Sequence, residues 1–209
     1  MRGNESWSTK TIEFVTSDGE QLVGDLIAPT DGTVITRAAA VCHPHPQHGG
    51  NRFSPVVEAC CLALVGANVA CLRFDFRSAF GEGVTEQLDL IAALDLLAGT
   101  FPSANLAVIG YSFGAMVTLG IDDSRIGAKV LIAPPIGEFV VEPVAIVPHL
   151  LLVPAFDQFA PPDTVRPFVD RWAAAGIAAE MDIVEMTDHF LHGHTRHVAD
   201  RIRIWLTSR

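Results

Sequence analysis

The sequence lacks an uninterrupted apolar run long enough to cross a bilayer. A membrane-spanning helix needs about 20 consecutive apolar residues, whereas the most apolar stretch, residues 139–156, contains Glu142 and three prolines. The first ten residues, MRGNESWSTK, are polar and lack the apolar segment of a secretory signal peptide. We therefore expect a cytoplasmic protein without a membrane span.

Cysteine is scarce, and acidic residues outnumber basic ones. The four cysteines have no C-x-x-C spacing and lie in apolar segments, a pattern typical of buried free thiols. The formal net charge of −10 argues against electrostatic binding to nucleic acid or anionic lipid. The sequence also contains no internal repeat, low-complexity tract or linker that would divide the chain. These observations favour one domain over residues 1–209 and exclude nucleic acid as an expected partner.

What the sequence does contain is an alternation of short apolar runs with helix-length segments. The two segments TIEFVT (11–16) and QLVGDLIA (21–28) surround a turn with Asp-Gly and predict an antiparallel hairpin. Continuous apolar runs suit strands that are buried on both faces, so the rest of the chain predicts a mostly parallel sheet with helices on both faces. The runs are AAAVC (38–42), NVACLRF (68–74), NLAVIG (105–110), AKVLIA (128–133), HLLLVPA (149–155) and AEMDIVE (179–185).

Five helices are predicted between these strands. The first begins with Ser54 as its cap and Pro55 at its first position, the second spans 84–98, and the third begins directly after Ser112. The last two are indicated by apolar residues at helical spacing. These are Val165, Phe168, Val169 and Trp172, with Pro167 expected in the first turn, and Leu191, Val198, Ile202, Trp205 and Leu206.

A G-x-S-x-G motif, GYSFG (110–114), lies between the predicted strand NLAVIG and the third helix. In such an elbow the serine occupies a sharp, strained turn, and the glycines leave room for that turn. The free N–H groups at the start of the following helix favour negative charge near the hydroxyl. The position of the motif, more than the motif itself, therefore predicts Ser112 as a nucleophile.

A serine nucleophile needs a base that is oriented by an acid, here in the chain order Ser, Asp or Glu, His. Ligands of parallel sheets lie at the carboxyl ends of the strands. Asp157 follows the run HLLLVPA, and we predict it as the acid, with Asp163 as the alternative. His189 follows the last predicted strand, and we predict it as the base, with His192 as the alternative.

The segment HPHPQHGG (43–50) follows the first buried run and has two alternative interpretations. The oxyanion that serine attack creates needs two N–H donors, one from the residue after the nucleophile, Phe113, and one from a loop after an early strand. Proline has no N–H to donate. We therefore predict the backbone N–H of His45 as the second donor, with that of Gln47 as the alternative.

The other interpretation of this segment is a zinc site. His43, His45 and His48 have the H-x-H-x-x-H spacing of the zinc-binding loop in metallo-β-lactamase-type hydrolases, and a histidine of the 189–192 segment would add a ligand. Zinc ligands would, however, leave Ser112 and its position unexplained. We therefore predict neither metal nor cofactor, with a zinc-dependent hydrolase and a non-catalytic binding protein of the same fold as alternatives.

Taken together, these motifs resemble the α/β-hydrolase superfamily, and within it small capless bacterial hydrolases that are similar to dienelactone-hydrolase-like proteins and carry an HPHP loop. The resemblance implies a single-domain α/β-hydrolase fold, with Ser112 as nucleophile, Asp157 as acid and His189 as base. The similar segments extend over most of the chain. They are HPHPQHGG (43–50), LRFDFR (72–77), GYSFG (110–114), LIAPP (131–135), FDQFAPP (156–162) and DHFLHG (188–193).

Two segments depart from the pattern of these relatives. Relatives often have R-G-x-G after the fourth strand, whereas this chain has RSAFG (77–81), a difference that we expect to reshape the substrate entrance. Relatives often have G-D-x-D before the two prolines, whereas this chain has PAFD (154–157). The acid itself is therefore present, in a loop of different composition.

Lids in this superfamily are usually inserted after the sixth strand. Here only PPIGEFVVEPVAIVP (134–148) separates two strand runs, which is too short for a cap domain. We therefore expect a pocket that is open or covered by a partner chain. The apolar residues Phe139, Val140 and Val141 are expected to form a homodimer contact, an acyl groove or a packed surface loop.

The predicted activity is hydrolysis of an ester or related acyl bond of a small molecule, in the manner of a carboxylesterase or thioesterase. Ser112 attacks, His189 accepts its proton, and Asp157 orients the imidazole. The N–H groups of His45 and Phe113 bind the oxyanion. Ester, thioester, lactone and peptide cleavage share this machinery, so the sequence does not distinguish among them.

Overall fold

The computed structural model describes residues 6–137 and 146–209. Within these ranges the strands are β1 (Trp7–Val15), β2 (Gln21–Pro29), β3 (Arg37–Cys42), β4 (Ala70–Phe74), β5 (Asn105–Tyr111), β6 (Ile126–Ile132), β7 (His149–Pro154) and β8 (Ala179–Val184). The helices are α1 (Pro55–Val65), α2 (Glu86–Thr100), α3 (Phe113–Gly120), α4 (Pro162–Ala174) and α5 (Thr195–Thr207), and a 3-10 turn covers Pro46–His48.

The strands form one sheet in the order β1-β2-β4-β3-β5-β6-β7-β8. Strands β1 and β2 pair antiparallel with each other, and β2 pairs antiparallel with β4. Every later pairing, from β4–β3 to β7–β8, is parallel. The predicted fold class, a mostly parallel α/β sheet with an N-terminal antiparallel hairpin, is confirmed.

Helices cover both faces of the sheet because successive strand residues point to opposite sides. Ala39 and Val41 of β3 belong to a buried cluster with apolar residues of α1 and α5. Ala38 and Ala40 point the other way and belong to a cluster with α2 and α3. Both faces are therefore apolar, which is why the central strands read as continuous apolar runs.

Several predicted details of the helices are wrong. Helix α4 already begins at Pro162, whose ring presets the helical φ, so Pro167 lies beyond the first turn instead of within it. Leu191 is buried but lies in the loop before α5, with a φ of 56°. Ser54 does occupy the cap position of α1, before Pro55, as predicted, but its side chain forms no cap hydrogen bond. Its Oγ accepts from the N–H of Asn51 at 3.3 Å.

The chain between β6 and β7 comprises only residues 133–148, too short for a helical cap domain, as predicted. The predicted dimer contact or acyl groove at Phe139–Val141 lies outside the described residues. Within the described ranges, no helix is both long enough and apolar enough to cross a membrane. The carboxyl edge of the sheet is thus left without a covering domain between these two strands.

Candidate active site

Ser112 lies at the sharp turn that joins β5 to α3. Its φ of 54° and ψ of −116° fall in a region that residues with a side chain rarely adopt. Its N–H donates a 2.9 Å hydrogen bond to the carbonyl oxygen of Ile132, at the end of the neighbouring strand. The strained turn is therefore held by the sheet itself, and it places Ser112 at the carboxyl edge.

The two glycines of the motif are required by close backbone approaches. A Cβ on Gly110 would lie 2.2 Å from the carbonyl oxygen of Gly114, across the turn. A Cβ on Gly114 would lie 2.6 Å from the carbonyl oxygen of Cys42 and 2.7 Å from that of His43. Gly114 thus lets the elbow contact the start of the HPHP segment, which the sequence pattern by itself did not reveal.

The three side chains predicted as a triad lie within hydrogen-bonding distance in the expected order. Oγ of Ser112 is 2.8 Å from Nε2 of His189, and Nδ1 of His189 is 2.9 Å from Oδ2 of Asp157. Asp157 and His189 are 3% and 5% exposed, so their contact is shielded from water. The ring must donate from Nδ1 to the carboxylate, which leaves Nε2 as the acceptor for the serine hydroxyl.

Backbone donors hold the carboxylate of Asp157. Its Oδ1 accepts from the N–H groups of Phe159 at 2.9 Å and Ala160 at 3.1 Å, so Oδ2 is left for the imidazole. The alternative acid, Asp163, is exposed in the first turn of α4. The alternative base, His192, is also exposed. In the part of the chain that is described, neither hydrogen-bonds to the residues of the triad.

Three residues that the sequence analysis did not single out contact His189, the predicted base, and hold the loop that carries it. The hydroxyl of Tyr111 donates to the backbone oxygen of His189 at 2.9 Å, and burial raises the pKa of that phenol. Oε1 of Gln158 accepts from the N–H of His189 at 3.4 Å. The ring of Phe159 packs edge-on against the imidazole, with centroids 4.6 Å apart. No periodicity or spacing indicates such contacts, because they join loops that are distant in sequence.

The two predicted oxyanion donors are neighbours. The ring of His45 lies 5.1 Å from that of Phe113, centroid to centroid. Phe113 is the first residue of α3, where a backbone N–H has no partner within the helix. Neither its N–H nor that of His45 donates to another described residue. The N–H of Gln47, the alternative donor, is instead directed to Nδ1 of His45 at 3.2 Å.

His43 connects the HPHP segment to the end of β4. Its Nδ1 donates to the carbonyl oxygen of Pro44 at 2.6 Å, and its Nε2 accepts from the N–H of Phe76 at 3.0 Å. The side chain is buried, and burial lowers the pKa of His43, which favours the neutral ring that this pair of bonds requires.

These contacts bear on the zinc alternative. Both ring nitrogens of His43 are engaged within the protein, and Nδ1 of His45 accepts from a backbone N–H. Over residues 6–137 and 146–209, no group of three or more His, Cys, Asp or Glu side chains is arranged to hold a metal ion. The three histidines of the segment are therefore not disposed as a ligand set.

Comparison with known proteins agrees with this fold. Residues 45–202 match the model of the alpha/beta hydrolase family, so the chain belongs to that family. It is 30% identical over 187 residues to the uncharacterized protein RP471 of Rickettsia prowazekii, covering 81% of this chain and 78% of that protein. The predicted resemblance to this superfamily is confirmed.

Two solved structures illustrate the similarity. XC6422 from Xanthomonas campestris, a serine hydrolase without a lid, superposes with a TM-score of 0.82 at 25% identity, over 95% of both chains. The esterase Pf2001 of Pyrococcus furiosus superposes with a TM-score of 0.80 at 20% identity, over 97% of this chain and 93% of that one. The absence of a cap is thus shared with a solved structure of this fold.

Proposed function

We propose that this protein is a serine hydrolase that cleaves an ester or related acyl bond of a small molecule. The proposal depends on one observation: Oγ of Ser112, both ring nitrogens of His189 and a carboxylate oxygen of Asp157 form a continuous chain with contacts of 2.8 and 2.9 Å. A serine hydroxyl is a weak nucleophile, and this chain is what activates it. The lidless serine hydrolase and the esterase of the same fold support the proposal.

In the first half of the reaction, Ser112 attacks the carbonyl carbon while Nε2 of His189 accepts the hydroxyl proton. Asp157 keeps the other ring nitrogen protonated and stabilises the imidazolium. The negative charge on the carbonyl oxygen is met by the N–H groups of Phe113 and His45. His189 then passes its proton to the leaving group, whose bond to carbon breaks, and the acyl-enzyme remains.

In the second half, water attacks the acyl carbon while His189 accepts a proton from it. The bond between that carbon and Oγ of Ser112 then breaks, His189 returns the proton to Oγ, and the carboxylic acid product is released. The surroundings favour an apolar substrate, because Phe156, Met186 and Phe190 are 70%, 79% and 51% exposed on the loops that carry the acid and the base. We therefore propose a carboxylesterase-like or thioesterase-like activity without a cofactor.

The test is hydrolysis of p-nitrophenyl acetate and labelling by a fluorophosphonate probe. Ser112→Ala is expected to lower kcat/KM by at least about a thousandfold and to abolish labelling. The matched control is Ser124→Ala, since Ser124 is exposed in the loop before β6. Full activity of a folded Ser112→Ala variant would overturn the proposal.

The same two assays, applied to the wild-type protein with and without a chelator, test the two alternative functions. Activity that is lost on treatment with a chelator and restored by zinc would favour the zinc-dependent hydrolase. Well-folded wild-type protein in which Ser112 is not labelled at any pH would favour the non-catalytic binding protein. We expect neither result, because the hydroxyl and the imidazole already lie in contact.

A further inference from the structure

The segment RSAFG, at which the chain departs from its relatives, lies directly beside the elbow. The ring of Phe80 is 4.7 Å from the ring of His45 and 5.6 Å from that of Phe113, between centroids. A Cβ on Gly83 would lie 3.6 Å from Cε2 of Phe113. The segment thus packs on the two residues whose N–H groups we assign to the oxyanion.

The start of this segment is anchored by Arg77. Its backbone N–H donates to Oδ2 of Asp89 at 2.9 Å, and its Nε donates to Oδ1 at 2.8 Å. On the other side the guanidinium forms two hydrogen bonds with the carboxylate of Asp18, at 2.7 and 3.1 Å. Asp89 is fully buried in α2, so the segment begins from a rigid point.

The end of the segment is anchored by Glu86, which is also fully buried. Its two carboxylate oxygens accept from the N–H groups of Gly81 at 2.8 Å and Gly83 at 2.9 Å. The turn is tight, since a Cβ on Gly81 would lie 1.7 Å from Oγ1 of Thr85. Both ends of the segment are thus hydrogen-bonded to buried carboxylates, and Phe80 lies between them, against Phe113.

The mechanism determines which half of the substrate reaches Phe80. The attacked carbon carries the serine oxygen, the oxyanion, the leaving group and the acyl chain. The leaving group must lie towards His189, because His189 donates a proton to the leaving group. Phe159 lies on this side of the site, since its ring contacts the imidazole. The acyl chain then extends away from His189, and we place it along the adjacent rings of His45 and Phe113. Phe80 packs against both of these rings.

We propose that Phe80 determines specificity by limiting the length of the acyl chain, and that Glu86 is the residue that positions it. This inference rests on the proposed function, because it assigns the two sides of the site from the serine mechanism. A half-buried aromatic ring across the path of the chain favours short acyl groups and opposes long ones.

The test uses p-nitrophenyl acetate, butyrate and octanoate, which differ only in the acyl chain. In Phe80→Ala, the ratio of kcat/KM for octanoate to that for acetate is expected to rise by at least about tenfold over wild type. A second series of acetate esters with different alcohols should be affected equally for every leaving group. Phe80→Leu keeps an apolar side chain in the segment and is expected to give a smaller rise.

The matched control is Phe101→Ala. Phe101 is partly buried between α2 and β5, at the opposite edge of the sheet from Ser112. The loss of this ring is expected to lower the melting temperature while leaving the chain-length ratio at its wild-type value. A change in that ratio would show that loss of stability alone alters specificity, and it would overturn the assignment of Phe80.

Glu86→Gln tests the positioning role. The amide keeps the size of the side chain but presents an NH2 group to one of the two N–H donors, so the segment loses a hydrogen bond. We expect the octanoate-to-acetate ratio to rise as in Phe80→Ala, though less. A purely structural role would lower the melting temperature and scale all three esters equally. Glu82→Gln, at an exposed neighbouring position, is the control.

The outcomes separate this inference from the function on which it rests. If Ser112 is required for hydrolysis but the chain-length ratio is the same in wild type and Phe80→Ala, the specificity assignment is wrong and the hydrolase remains. If the leaving-group series responds instead of the acyl series, Phe80 lies on the other side of the site. If Ser112→Ala retains activity, the proposed function itself fails.

Discussion

The hydroxyl of Tyr111 donates a 2.9 Å hydrogen bond to the backbone oxygen of His189. Tyr111 directly precedes Ser112, the proposed nucleophile, and His189 is the proposed base, so this one bond joins the elbow to the loop after β8. It fixes the main chain of His189 relative to the strained turn, and the imidazole of the same residue contacts Ser112.

Removal of that hydroxyl should therefore affect catalysis more than stability. In Tyr111→Phe, the buried carbonyl loses its donor, at a cost of about 1 kcal/mol in the free energy of unfolding. We expect kcat for p-nitrophenyl acetate to fall by about tenfold, because the base is less well placed. Urea titration and steady-state kinetics measure the two effects. Unchanged kcat at reduced stability would show that the bond is only structural.

Asp157→Asn should nearly abolish activity while the fold persists. The amide presents an N–H group to Nδ1 of His189 and so favours the tautomer in which Nε2 is protonated and cannot accept the proton of Ser112. We expect kcat to fall by about 10⁴-fold. Asp163→Asn, at an exposed position in α4, is the control and should remain active. Loss of activity in the Asp163 variant instead would assign the acid to that residue.

Two glycine-to-alanine substitutions distinguish the effect of a close backbone contact on stability from the effect of helix propensity. Gly114→Ala places a methyl group 2.6 Å from the oxygen of Cys42, so the elbow or the HPHP segment must shift. We expect a loss of about 2 kcal/mol in stability, together with a loss of activity. Gly99→Ala, in α2, meets nothing within 4 Å and should stabilise the protein by about 0.5 to 1 kcal/mol. Thermal melts compare the two, and equal effects would contradict the close approach.

His149 should make the protein less stable in mild acid. It is fully buried, its Nδ1 donates to the oxygen of Val147 at 2.6 Å, and its Nε2 has no partner among the described residues. Burial, and then the neighbouring Lys129, lower the pKa of His149 to about 4. Between pH 6.5 and about pH 4, His149 of the unfolded chain binds a proton that His149 of the native protein does not. The free energy of unfolding therefore falls with falling pH, by up to about 3 kcal/mol.

The variant His149→Gln removes this titration. The expected result is a flatter dependence of the free energy of unfolding on pH between about 4 and 6.5, whatever the absolute stability of the variant. His197→Gln, on the exposed side of α5, should retain the wild-type slope. Urea titrations at several pH values provide the measurement. An identical slope in His149→Gln and wild type would assign the acid sensitivity to other groups.

Much of the site was predictable because its chemistry follows from local position. A serine between two glycines, after a buried strand and before a helix, indicates an elbow, since the strain is local to the turn. The contacts that Asp157 and His189 form near Ser112 were predictable because each residue follows an apolar run, and the carboxyl ends of parallel strands meet at one edge. Apolar periodicity likewise indicated the strands and helices.

Other features depended on contacts between distant parts of the chain. The sequence does not indicate that β3 lies between β4 and β5, because strand order results from packing. It did not place Pro167 beyond the first turn of α4 or Leu191 outside α5, since tertiary contacts override local preference.

The sequence by itself determined which residue types stand at the ends of the strands, and therefore which chemistry is possible. Only the tertiary structure decided how those ends meet: that Tyr111 holds the loop of His189, that Gly114 touches the HPHP segment, and that Glu86 holds Gly81, next to the Phe80 that packs on Phe113. The physical reason is that periodicity and turn strain are encoded over a few residues. The distance between residues far apart in the chain is instead set by how the whole core packs.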